Sequence, residues 1–451
     1  MTKPFILAAL LSITSALSAQ QQWTLRQCID HALQNNISLK RQSNQNEQKA
    51  IQVSTARNAR LPNLNASVGQ DFSFGRGLTE DNTYTNSSTS STRMGLSTSI
   101  PLFTGGRLPS QLRLAKLNLE AATADLQKAQ DDLSLRVAQY YISAVYDREL
   151  LAVAQRQISI DSMQVARLQE MLRHGKASPV ELSQQQATLE NSRLTATKAS
   201  NDLQLALLDL TQLLELSTPT GFSIATPVVT PLATVPDVST SVSLTPVATL
   251  PSPDAIYAEA LGIKPEIAAE ELRLKGTEAS ISIAKADLYP SLDLNGSIGT
   301  NYNKTSGFPA QSFGKQLENK FYQGIGITLN VPIFSRFATR NNIRSAEIDR
   351  QNQMLAVDEA KKRLYKEIQQ VYYNTVAAES SFRSSQAAAR SSEDAFELMR
   401  AKYEAGKANI TEFNESKNNL LKAQSDLLRA KYEYLYQTAL INFYRGKPLE
   451  M

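Results

Sequence analysis

Cysteine occurs once in this 451-residue chain, as Cys28, and histidine twice, as His31 and His174. A disulfide framework is thereby excluded, and a zinc site or a Cys/His nucleophile lacks the residues to build it. Glycine is scarce at 18 and tryptophan occurs once. No GxGxxG, Walker A or GxSxG motif is present, so the usual phosphate loops and nucleophile elbows are missing. Charge of either sign is not in excess: Lys+Arg 47 against Asp+Glu 43 gives a net +4. Without a Lys/Arg run there is no electrostatic footprint for nucleic acid. No apolar run is long enough to span a bilayer as a helix. At 42% hydrophobic and 20% charged residues the chain is nonetheless neither disordered nor a helical membrane protein. No catalytic, cofactor or metal constellation emerges, and the chain reads as a non-enzyme.

What is present begins with a targeting segment, residues 1–19. Lys3 supplies the positive charge, Phe5 to Leu17 the short apolar stretch, and Ala16-Leu17-Ser18-Ala19 the small residues of a cleavage site. The mature chain is expected outside the cytoplasm. No cysteine follows the cleavage site closely enough to carry a lipid anchor.

The chain then repeats itself at an offset of about 231 residues. Ser99-Ile100-Pro101-Leu102-Phe103 returns as Asn330-Val331-Pro332-Ile333-Phe334. Gly175-Lys176-Ala177 with Glu181-Leu182 returns as Gly406-Lys407-Ala408 with Glu412-Phe413. A period this long is a duplicated domain half, not a solenoid unit. The halves, 20–216 and 254–446, flank a Pro/Thr-rich linker, 217–253, and a tail, 447–451, follows. Each half reads helix, strand, loop, strand, long helix, turn, helix. The long helices are expected over 105–173 and 336–405, the helices after the turns over 177–216 and 408–444, and single helices over 23–60 and 254–288. Leu112, Leu119, Leu126, Leu133 and Tyr140 step by seven, as do Val357, Leu364, Val371 and Ala378, which is coiled-coil spacing. Their other faces are polar, either as a solvated coiled-coil surface or as the wall of a water-filled tube.

Four segments near 63–72, 93–101, 291–302 and 321–331 alternate apolar with small polar residues. Leu64, Ala66, Val68 and Phe72 oppose Asn63, Asn65, Ser67 and Asp71, for example. About ten residues of such alternation fit a transmembrane β-barrel strand, though one soluble hairpin gives the same pattern. Aromatic residues favour the membrane. Phe72, Phe74, Tyr302, Phe321 and Tyr322 lie near the polar loops 75–92 and 303–320. Tyr289, Phe103, Phe334 and Phe337 lie near the helices. Two such bands read as interfacial girdles. Four strands cannot close a barrel, so the chain must oligomerise, giving eight strands as a dimer or twelve as a trimer.

These features together resemble the TolC-like outer-membrane efflux proteins, over about residues 23–446. The resemblance rests on the duplication, on strand–helix junctions such as Pro101-Leu102-Phe103-Thr104-Gly105-Gly106-Arg107 and its partner at Pro332, and on the Gly-centred helix turns. It implies a trimer whose twelve-stranded β-barrel, four strands per chain, is continuous with a periplasmic α-helical coiled-coil barrel. The function implied is a passive exit duct in the outer membrane of a Gram-negative bacterium, serving a tripartite efflux or type I secretion system. Its partners would be a periplasmic adaptor (membrane fusion protein), an inner-membrane pump and outer-membrane lipid. The resemblance places adaptor docking at the turns Gly175, Lys176, Ala177, Ser178 and Gly406, Lys407, Ala408, Asn409. It places a gate or constriction at Glu181, Tyr403, Glu412 and Glu415. An arginine common in the family's gate is replaced here by Ala408, so an arginine lock does not carry over, while a Tyr403–Glu181 bond does. From the residues alone, the turns are equally ordinary helical hairpins and the glutamates a solvated face. A secreted coiled-coil scaffold or an adaptor is the alternative function; it explains the helices but not the girdled strands.

Overall fold

The computed structural model describes residues 22–78, 83–217, 221–225 and 250–449. The targeting segment and most of the linker lie outside the described residues. Among the described residues two compact units emerge, one from those up to Arg41, within Gln127–Lys264 and from Lys362 onward, the other from those within Gln42–Leu126 and Pro265–Lys361. In chain order the elements are β1 (Gln22–Trp23), α1 (Leu25–Asn35), α2 (Ile37–Asn58), β2 (Asn65–Leu78), β3 (Tyr84–Thr104), α3 (Arg107–Arg173) and α4 (Pro179–Leu213). There follow β4 (Ser223–Ile224), α5 (Pro253–Leu261), α6 (Pro265–Ala286), β5 (Ser291–Thr305), α7 (Phe313–Asn319), β6 (Tyr322–Asn330), α8 (Ala338–Glu404) and α9 (Ile410–Tyr444). No described helix is long and apolar enough to cross a membrane.

The single helices expected over 23–60 and 254–288 are each broken in two. Asn36 leaves the helical region (φ −59°, ψ 126°), and its Oδ1 accepts the N–H groups of Ser38 and Leu39, capping α2. In the second half Pro265 is the cause. It has no N–H to donate and disfavours helical backbone at Lys264, so α5 ends and α6 starts with proline in its first turn.

In the first unit the seven-step positions Leu133, Val137, Ala144, Val165, Leu364 and Ala378 are buried. β1 and β4 pair in parallel, Trp23 opposite Ile224. Tyr141 on α3 donates its hydroxyl to the carbonyls of Trp23 (3.1 Å) and Ala225 (2.6 Å), and Arg148 donates to that of Ile224 (2.5 Å). Cys28 lies fully buried, its thiol pushed up to about 12 by burial.

The second unit carries an antiparallel sheet in the order β2-β3-β5-β6. Ala66, Leu96 and Ile298 stand in one row, Ile100, Leu294 and Ile327 in another, all on one face. Ser67, Gly95 and Gly299 share the opposite face, as do Asn65, Ser97 and Ser297. The apolar face is uncovered: Val68 is 73% and Ile325 86% exposed.

Three expectations change. Residues 75–92 are not all loop, because β2 and β3 stay paired up to Leu78 and Tyr84. The Ser/Thr run there hides the alternation that marks a strand, while the backbone ladder continues. The loop 303–320 contains α7. Tyr322 does not belong to an outer girdle. Paired with Gly299, it lies on the polar face, and its hydroxyl is 2.7 Å from where a Gly299 Cβ would stand.

At the junction to α3, Gly105 and Gly106 have φ +61° and +86°, and at the matching junction Arg336 and Phe337 have +53° and +63°. A Cβ on Gly105 would stand 2.5 Å from the carbonyl oxygen of Ala286. Gly105→Ala is therefore expected to destabilise the second unit by about 2 kcal/mol or more. Arg336→Gly, which relieves the same backbone strain, is expected to be neutral or stabilising. Thermal unfolding of the detergent-solubilised protein checks both.

Candidate functional site: the paired helix turns

The chain leaves α3 and α8 through the same backbone device. Gly175 N–H donates to Leu172 O (3.0 Å) and Lys176 N–H to Met171 O (2.8 Å). Gly406 N–H donates to Tyr403 O (3.0 Å) and Lys407 N–H to Lys402 O (2.8 Å). Both are Schellman closures, whose left-handed residue is glycine at φ +69° and +70°. The next helices open with capping boxes. Glu181 N–H donates to Ser178 Oγ while the Glu181 carboxylate accepts Ser178 N–H at 2.8 Å. Asn409 and Glu412 do the same, at 2.9 and 3.0 Å.

One apolar cluster joins the two hairpins: Leu168, Phe396, Ile410 and Phe413, with Ala177, Leu182, Tyr403 and Leu420 against it. Gly175, Lys176, Ser178, Gly406, Lys407 and Asn409 remain exposed, and Ala177 and Ala408 are half-buried. The four residues assigned to a gate therefore have different situations. Glu181 and Glu412 are committed to caps. Glu415 is exposed on the first turns of α9. Tyr403 stacks on Phe413 at 4.9 Å with the Arg167 guanidinium 5.4 Å from its ring. It makes no hydrogen bond to Glu181 among the described residues, contrary to expectation. Burial raises the Tyr403 hydroxyl pKa, Arg167 lowers it and Glu181 raises it further. Pro101 lies within β3, at a bulge against β5, and Pro332 follows the end of β6.

The family model for outer membrane efflux proteins matches residues 28–215 and 256–445. The chain belongs to that family. Outer membrane protein TolC of Vibrio cholerae is 23% identical over 96% of this chain and 92% of its own length. Protein CyaE of Bordetella pertussis is 27% identical over 92% and 81%. The CmeC outer membrane channel of Campylobacter jejuni superposes with a TM-score of 0.75 at 19% identity, over 94% of this chain and 86% of that one. This efflux protein thus has the fold of TolC-like channels, is mostly helical, and acts as an exit duct in the outer membrane. Its family is one of channels, not enzymes.

Above the apolar cluster lies a feature the sequence reading passed over. Asp161 and Lys417 form an ion pair with side chains 0% and 1% exposed. Asp161 also accepts from Gln157 (2.9 Å), Gln185 (3.2 Å) and Ser192 (2.6 Å), and Gln185 accepts from Asn414 (3.1 Å). The network ties α3, α4 and α9 together between that cluster and a second one of Ala154, Ala196 and Ala199. A signal existed: Asp161 falls midway in the seven-step series Ala154–Asp161–Leu168, and Lys417 seven after Ile410, so both occupy core positions. Lys417→Met leaves a buried carboxylate unpaired and is expected to cost about 3–5 kcal/mol. Asp161→Leu combined with Lys417→Met removes both charges and is expected to cost less than Lys417→Met alone. Denaturant unfolding of the three proteins measures the difference.

Proposed function

We propose that three copies of this chain close a twelve-stranded β-barrel in the outer membrane, each contributing four strands. The observation that carries this reading is the sheet. Its apolar rows run from Leu292 to the level of Met94 and Val68, eight residues along the strands, or about 26 Å, close to the ~25 Å apolar band of membrane barrels. β2 and β6 are each paired on one side only, and lipid does not tolerate such edges. Two copies would give eight strands, whose interior side chains fill. Three leave a lumen lined by the Ser, Gly and Asn face. The duplicated halves are supported by matching helices in the same order: α2 and α6 of 22 residues, α3 and α8 of 67, α4 and α9 of 35. Native mass measurement in detergent is expected to give a trimer; a monomer or dimer overturns the reading.

Substrates reach this duct from an inner-membrane pump through a periplasmic adaptor that docks on the exposed turns 174–178 and 405–409. Gly175→Val with Gly406→Val deforms both left-handed turns and leaves the sheet untouched. Outer-membrane trimers are expected to persist in this variant while export and adaptor crosslinking are lost. At the constriction the free acidic ring is Glu415, since the Glu412 carboxylate is held by Asn409. Glu415→Ala is expected to lower cation selectivity in planar bilayers. Glu412→Ala is expected chiefly to destabilise α9, by roughly 0.5–2 kcal/mol. Unchanged selectivity in Glu415→Ala returns that residue to a solvated helix face.

A further inference from the structure

Above the apolar rows, the lipid-side face of the sheet changes character in a fixed order. The row Gln70–Thr92–Tyr302 comes first, then Phe72–Ser90–Lys304, then Phe74–Ser88, then Arg76–Asn86. Phe72 and Phe74 project freely, 66% and 82% exposed.

Helix α7 stands on the same side. Thr300, in the row of Met94, donates its hydroxyl to Leu317 O at 2.7 Å, and the rings of Tyr302 and Phe313 meet edge to face at 5.1 Å. Gln316 is buried; its amide bonds both the N–H and the carbonyl of Asn303 at 3.0 Å. It thereby seals the stretch of β5 that extends beyond β6. Lys315 on this helix is exposed and Lys320 at its end is half-buried.

Among the described residues the rim so formed is cationic and aromatic. Arg76, Lys304, Lys315 and Lys320 are set against one described acid, Glu318. Asp71 does not offset them, since it lies on the polar face, bound to Arg93 at 2.9 Å. Arg76 and Lys304 have no ion-pair partner among the described residues, and Glu80 and Asp81 lie outside these. At the opposite end of the apolar band Arg107 is neutralised by Asp287 at 3.5 Å. Lys304 stands within the aromatic belt and Arg76 just above it, where headgroup phosphates lie, and each cation there strengthens attachment to an anionic surface.

We propose that this rim binds the phosphates of the outer leaflet's sugar-headed lipid, lipopolysaccharide. This rests on the barrel reading above, with the hairpin ends outside the cell. The rim continues the lipid-facing band, so its occupant has acyl chains beside Val68 and Ile298 and anionic groups at the height of Lys304 and Arg76. Those two backbone positions are about 16 Å apart, two strands across and four residues along. A headgroup with phosphates at both ends spans them better than a single phosphodiester.

The test uses the full-length trimer and three lipids: bisphosphorylated lipid A, the same lipid dephosphorylated, and phosphatidylglycerol. Binding is read by native mass spectrometry. Lipid A is expected to bind most tightly, and Arg76→Gln with Lys304→Gln to weaken it by about 25-fold, roughly five-fold per charge. Equal binding of phosphatidylglycerol, or an unchanged affinity in the variant, overturns the proposal. Asn86→Cys is probed in intact cells with a membrane-impermeant maleimide, native Cys28 being buried. Labelling from outside is expected. Labelling only after permeabilisation overturns both the proposal and the barrel's orientation; outside labelling with unchanged lipid binding overturns the proposal alone.

Discussion

A four-stranded sheet with an uncovered apolar band on one face and both edges open is unstable in water and incomplete in lipid. In water the exposed rows of Ile, Leu and Val would aggregate. In lipid the free N–H and carbonyl groups of β2 and β6 would each cost several kcal/mol. The closure proposed above would satisfy both demands at once. It would also turn the Ser, Gly and Asn face inward, where a small, hydrated wall suits a conduit. On that face Asp71 and Arg93 neutralise each other.

The helical part meets a different constraint. Two long helices must each turn back within a few residues and arrive side by side. A Schellman closure followed by a capping box does this, and the chain uses it twice with the same residue types. Duplicated halves carry a hazard, since matching helices can pair with the wrong hairpin. The Asp161–Lys417 network has no counterpart at the equivalent positions, which are Ser392 and Gln186. The network is therefore a feature of one half alone, and it ties α9 to α3 and α4 through a buried ion pair.

Much of this was legible in the sequence, because it depends on local rules. Seven-step spacing marks the helices, period-two alternation marks the sheet face, and glycine followed by Ser or Asn marks the turns. Where local rules compete, legibility failed. Asn36 and Pro265 divide helices that periodicity runs together, although proline at 265 was sufficient warning. The Ser/Thr stretch before Met94 carries no alternation, yet its backbone pairs with β2.

The sequence by itself determined the long helices, the alternating strands, the repeated motifs and the resemblance to the family, since each is written in spacing that survives without contacts. Only the tertiary structure decided the roles of individual polar groups. Whether Glu412 is free or bound to Asn409, whether Tyr403 meets Glu181 or Phe413, and whether Tyr322 lies on the apolar or the polar face depends on strand register and helix rotation. A one-residue shift in either reverses the answer. Asp161 and Lys417 are 256 positions apart, and spacing within either helix does not reveal that they meet.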